Sequence, residues 1–138
     1  MKKKVIFACV HSAGRSQMSA AFFNDLADPG KAFAVAAGTQ PAERVHPEVV
    51  EIMRELNIDL SHAKPRKLTR ELAEDANLLI TMGCGDECPY VPGLRRDDWK
   101  LKDPKGQSAE HVRAIRDEIR LRVADLLRAE GWSKASDC

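Results

Sequence analysis

Cys9 and Arg15 bracket the segment Cys9-Val10-His11-Ser12-Ala13-Gly14-Arg15-Ser16, which sets a thiol and a guanidinium five residues apart. Positive surroundings favour the thiolate, the nucleophilic form of cysteine. A guanidinium grips two oxygens of a tetrahedral oxyanion with its planar fork. The pair therefore suits nucleophilic attack on a bound oxyanion. Such spacing also arises by chance, so position has to discriminate. The segment falls between the apolar run Val5-Ile6-Phe7-Ala8 and a stretch carrying Met18, Phe22 and Leu26 at helical spacing. A loop between a strand and a helix N-terminus can turn successive backbone N–H groups inward as an anion nest, and the helix dipole adds favourable potential. Val10, His11, Ser12, Ala13, Gly14, Arg15 and Ser16 are thus the expected oxyanion-binding residues. Gly14 is expected to take the positive φ of the nest, Ser16 to hydrogen-bond the Cys9 thiolate, and His11 to point its side chain outward. The plainer alternative, a buried strand cysteine and a surface arginine, leaves this placement unexplained.

Two more thiols lie in Thr81-Met82-Gly83-Cys84-Gly85-Asp86-Glu87-Cys88-Pro89, after the apolar run Leu78 to Met82. Glycines on both sides of Cys84 permit movement, and Pro89 holds Cys88 out of helical geometry. Disulfide formation needs Cα atoms within about 4.4 to 6.8 Å, so pairing with Cys9 requires Cys84 to come close to it. A structural zinc site usually needs four ligands, and no second closely spaced Cys or His pair is present, so no metal is expected. Asp103, in Trp99-Lys100-Leu101-Lys102-Asp103-Pro104, is placed to protonate a leaving oxygen. Alone it would read as an Asp-Pro turn; the anion loop favours the general acid. Cys138 reads as incidental.

These groups need a sheet edge to stand on. The expected strands are Val5 to Ala8, Phe33 to Ala37 stopped by Gly38, Leu78 to Met82, and Trp99 to Lys102. Between them fall a helix from Ser16, a helix from Pro47 with Val49, Ile52, Met53 and Leu56 on one face, and a short helix near Thr69 to Asp75. Ala63 to Arg70, basic and interrupted by Pro65, reads as a surface connection. Val112, Ile115, Ile119, Val123, Leu126 and Leu127 mark a long amphipathic helix from a Ser108 cap to Gly131. Alternating strands and helices predict an α/β sandwich with a parallel sheet, whose ligands bind at the carboxyl ends of the strands.

The chain has 138 residues, 43% of them hydrophobic, which predicts one domain over 1–138 with a real core. Lys plus Arg number 22 against 21 Asp plus Glu, a net charge of +1 that gives no general pull toward nucleic acid or an anionic membrane. Met1-Lys2-Lys3-Lys4 followed by Val5 to Val10 imitates a signal peptide, but its apolar run is too short, and no segment approaches the roughly 20 apolar residues of a membrane helix. A cytoplasmic protein is expected, where thiols stay reduced and cysteines point to catalysis.

Together, Cys9 to Ser16, Thr81-Met82-Gly83-Cys84 and Asp103-Pro104 resemble the thiol-relay arsenate reductases built on the low-molecular-weight tyrosine phosphatase fold, over nearly the whole chain. The resemblance implies a three-layer sandwich with a four-stranded parallel sheet. It implies Cys9 as nucleophile, Arg15 as oxyanion clamp, Asp103 as general acid, and Cys84 and Cys88 as a redox-active disulfide relay, with no cofactor. The substrate would be arsenate, with phosphate or sulfate as competing oxyanions. The reductant would be thioredoxin, or alternatively glutaredoxin or a low-molecular-weight thiol, and the role arsenic resistance. Two features depart from the pattern: Cys84 and Cys88 are spaced more closely than the family's usual pair, and Ser12 stands where many members have Asn. An Asn there and an acidic residue at the Ala20 position hold potassium in some reductases, so no potassium site is expected. Phosphate hydrolysis needs no electrons, whereas arsenate reduction takes two from a pair of thiols. The rival phosphotyrosine phosphatase would use Cys9, Arg15 and Asp103, with Tyr90 and Trp99 as ring contacts. A thiol-based arsenite or metal binder would leave the anion loop without a purpose.

Overall fold

The computed structural model describes residues 2–82, 93–102, 104 and 106–134. In chain order the elements are β1 (Lys3–Cys9), α1 (Arg15–Leu26), β2 (Ala32–Gly38), α2 (Pro47–Arg54), α3 (Arg70–Glu74), β3 (Leu78–Thr81), β4 (Arg95–Asp98) and α4 (Ala109–Glu130). They form the expected α/β fold around one four-stranded sheet of order β2-β1-β3-β4. Every pairing is parallel.

The register explains where a site can form. Cys9 pairs with Gly38, Ala8 with Thr81, and Thr81 with Asp98, so the carboxyl ends of all four strands reach one edge. The chain leaves β1 between β2 and β3, the crevice where open parallel sheets bind ligands.

Strand β1 is buried on both faces, which is why its apolar run is continuous. Val5, Phe7 and Cys9 join a large cluster with Met18, Phe22 and Phe23 of α1, Val49, Ile52 and Met53 of α2, and the Val112-to-Leu127 stripe of α4. Ile6 and Ala8 face the opposite way, onto Leu68 and onto Ala73 of α3. Helices therefore cover both faces of the sheet. α4 begins at Ser108, whose side chain accepts from the His111 N–H, and ends on Gly131 at φ 76°. Glu55, just past α2, accepts from Arg113 and Arg116 of α4 and ties the two helices together. Those guanidinium groups, Arg113 foremost, lower its pKa from 4.5 to about 2.

Two expectations need correction. The fourth strand is Arg95–Asp98 rather than Trp99 to Lys102. It is an edge strand of four exposed charged residues, held by backbone bonds to β3, so no apolar alternation marks it. Trp99 follows it, donating its N–H to the Thr81 carbonyl at 2.8 Å. Its ring turns into the core against Phe7, with centroids 5.5 Å apart. The alternation of Trp99 and Leu101 with lysines therefore marks a half-buried connection, not a strand. Nor is Ala63 to Arg70 merely a surface connection. Gly38 bridges Lys67 in parallel fashion, and Leu68 is buried. The basic residues around it conceal this docking in the sequence.

Candidate active site

The segment between β1 and α1 is a closed loop with its carbonyls turned out. The Cys9 oxygen accepts from Thr39 N–H at 3.2 Å, Val10 from Gln40 at 2.8 Å, His11 from Ala42 at 2.9 Å, and Ala13 from His46 at 2.9 Å. The Gly14 oxygen accepts from Met18 N–H at 3.0 Å in the first turn of α1. The Ser12 oxygen takes its hydrogen from the Gln17 side chain, at 2.9 Å. In a trans peptide the N–H points opposite to the carbonyl of the same plane. Six outward carbonyls from Cys9 to Gly14 therefore aim the N–H groups of Val10, His11, Ser12, Ala13, Gly14 and Arg15 to the inner side. Ordered N–H groups at a helix N-terminus are the makings of an anion nest.

Cys9 is a free, buried cysteine beside this loop. Its Sγ lies 3.2 Å from Ser16 Oγ, the expected contact. A thiolate there accepts the Ser16 hydroxyl hydrogen. Arg15 is the first residue of α1 and is buried, and its Nη1 donates to the Leu101 carbonyl at 3.2 Å. This bond holds the guanidinium against the connection after β4. Ser19 Oγ donates to the Arg15 carbonyl at 2.8 Å and lies 3.4 Å from Met82 Sδ, which joins α1 to the end of β3.

The positive φ of the loop is at Ser12, at 52°, and not at Gly14, whose φ is −140°. Gly14 is small for another reason. A Cβ there would meet Pro104 Cγ at 2.7 Å, because Pro104 packs directly onto the loop. Gly38 plays the same part from below: a Cβ on it would meet the Val10 oxygen at 2.6 Å and Ser12 N at 2.7 Å. The sequence showed Gly38 only as a strand stop, and Gln17 carried no signal beyond its place next to Ser16. His11 is half-buried and engages through its backbone carbonyl.

Cys84, Cys88, Asp103, Tyr90 and Cys138 lie outside the described residues. Lys102 and Pro104 on either side of Asp103 are described, as is Met82 just after β3. Met82 is fully buried and donates its N–H to the Ala8 oxygen at 2.7 Å, one residue from Cys9. Trp99, considered above as a ring contact for a phosphotyrosine, is 7% exposed and belongs to the core. Among the described residues, no helix is long and apolar enough to cross a membrane.

The sequence profile of the low molecular weight phosphotyrosine protein phosphatases matches residues 4–134. The chain belongs to this phosphatase family. Within it, the chain is 44% identical over 126 residues to a Halobacterium salinarum protein named provisionally as an arsenate reductase, covering 87% of each. It is 35% identical to the glutaredoxin arsenate reductase of a Synechocystis species, over 91% of this chain and 96% of that one. Among solved structures, the thioredoxin-dependent arsenate reductase of Corynebacterium glutamicum superposes with a TM-score of 0.81 at 37% identity. That match takes in 93% of this chain, which spans 61% of the longer protein's length. Several relatives within the family thus carry the name of an arsenate reductase.

Proposed function

We propose that this chain reduces arsenate to arsenite, with Cys9 as the nucleophile and the Cys84 and Cys88 thiols as the source of electrons. The observation that carries the reading is the anion loop: a buried Cys9 beside six inward N–H groups at the start of α1, with Arg15 in the first turn. The names of the relatives support arsenate as the oxyanion.

The Cys9 thiolate attacks arsenic while the inward N–H groups and Arg15 bind the arsenate oxygens. One oxygen leaves as water, with a proton from Asp103, and a Cys9 sulfur–arsenic bond remains. Asp103 precedes Pro104, which packs on Gly14, and that adjacency supports its role as the acid. The Cys84 thiolate then attacks the Cys9 sulfur. A sulfur–sulfur bond forms, the sulfur–arsenic bond breaks, and its electron pair goes to arsenic, which departs as arsenite. Cys84 follows Met82 by two residues, a reach of about 7 Å, and Met82 is bonded beside Cys9. Cys88 then exchanges into the disulfide, leaving Cys84–Cys88 for an external reductant. In total, arsenate and two thiols give arsenite, one disulfide and water.

The C. glutamicum and Synechocystis relatives are named for thioredoxin and glutaredoxin respectively, so a small redox protein is the reductant of choice. Such a relay works where thiols are kept reduced, in the cytoplasm, and would serve arsenic resistance. Arsenite formation from arsenate with dithiothreitol, or with a thioredoxin system, tests the reading. Strong hydrolysis of a phosphotyrosine analogue without any arsenite would return the chain to phosphatase chemistry.

A further inference from the structure

Gln17 meets a carbonyl of the anion loop with its side chain. Of the six outward carbonyls, those of Cys9, Val10, His11, Ala13 and Gly14 are met by backbone N–H groups, which no substitution of the donor's side chain removes. The Ser12 carbonyl is met by Gln17 Nε2. The same amide nitrogen lies 3.2 Å from the Lys64 oxygen and 3.4 Å from Ser12 Oγ, so its two hydrogens join α1, the loop and the segment before Leu68. Gln17 is 6% exposed, and Ser12 is fully buried. Arg66 N–H, from that same segment, adds a bond to Ser12 Oγ at 3.4 Å.

We propose that Gln17 is a positioning residue of the oxyanion loop, holding the Ser12–Ala13 peptide so that the Ala13 N–H faces the anion. The inference rests on the anion-binding reading of the loop given above. Rotation of that peptide plane would send the Ala13 N–H outward and the Ser12 oxygen inward, replacing a donor to the anion by an acceptor that repels it. Ser12 is already held in the left-handed region at φ 52°, which a residue with a Cβ adopts only under surrounding constraint. Glutamine suits the position because a single amide nitrogen supplies two hydrogens to two carbonyls. Glutamate has the same shape without the donor, and methionine a similar length without polarity.

The test measures how much inorganic phosphate half-protects Cys9 from iodoacetamide in wild type, Gln17→Met and Gln17→Glu, each folded by circular dichroism. Phosphate should protect wild type, and both variants should need about tenfold more or beyond, the loss of one hydrogen bond to a charged oxygen. Arsenate KM should rise in step, with a smaller change in kcat. A residue that only fills space would lower the melting temperature and leave the half-protecting concentration unmoved, which would overturn the proposal. So would an effect in Gln17→Glu alone, since that is charge repulsion. If phosphate fails to protect even wild type, the anion-loop reading itself falls and the role of Gln17 with it. Protection of wild type and both variants alike would sink only the role of Gln17.

Discussion

Gly38 at the end of β2 lies directly beneath Val10, so close that a Cβ would stand 2.6 Å from the Val10 carbonyl oxygen. The neighbours are backbone, with Ser12 N at 2.7 Å, and cannot swing aside as a side chain could. Gly38→Ala should therefore displace the loop rather than merely crowd it. Overpacking of this kind costs about 1 to 3 kcal/mol. The melting temperature should fall, and the phosphate concentration protecting Cys9 should rise at least severalfold. Unchanged protection would show that the loop does not rest on this strand end.

Arg15→Lys should weaken oxyanion binding although the charge is kept. A guanidinium can bond the Leu101 carbonyl and still present its planar fork, whereas an ammonium is a point charge on a flexible stem. Losing a charge-assisted hydrogen bond costs about 1.5 to 3 kcal/mol, which corresponds to an arsenate KM raised at least tenfold. Steady-state kinetics of the variant would check this, and an unaltered KM would remove Arg15 from the clamp.

The proposed order of thiols separates Cys84 from Cys88. Cys88→Ser should release about one arsenite per chain and then stall as a Cys9–Cys84 disulfide. Cys84→Ser should release almost none without added small thiol. Peptide mapping of the stalled enzyme decides the order: a Cys9–Cys138 bridge, or full turnover with thioredoxin, would assign Cys88 wrongly.

Acid should loosen the junction of α2 and α4. Arg113 and Arg116 hold Glu55 at a pKa of about 2, below its ordinary 4.5. A lowered carboxylate pKa stabilises the fold above the ordinary value, and that contribution fades as pH falls from about 4.5 through about 2. Glu55→Gln should thus melt below wild type at pH 7, and the gap should close on acidification across that window. Melting curves at several pH values would reveal it; a constant gap would mean that the ion pairs contribute through packing alone.

Local pattern was enough for much of this fold. A doubly buried β1 requires a continuous apolar run, and α4 carries its own stripe, its Ser108 cap and its left-handed Gly131. The loop that joins this strand to α1 follows directly on the apolar run, so Cys9, Arg15 and Ser16 were legible as a group. Their contact, Cys9 Sγ to Ser16 Oγ, follows from residues only seven apart.

Tertiary structure decided what local pattern could not encode. β4 is a strand because β3 offers it hydrogen bonds, and its Arg95-Arg96-Asp97-Asp98 sequence has no buried face to advertise it. The positive φ fell to Ser12 instead of Gly14 because the loop is shaped from outside, by Gln17, His46 and the 39–42 segment bonding its carbonyls. Gly14 and Gly38 are glycines for want of space, the one under Pro104 and the other beneath Val10. Approach between segments distant in sequence leaves no periodic trace in either, and so the residues that hold the loop became visible only when the chain was folded.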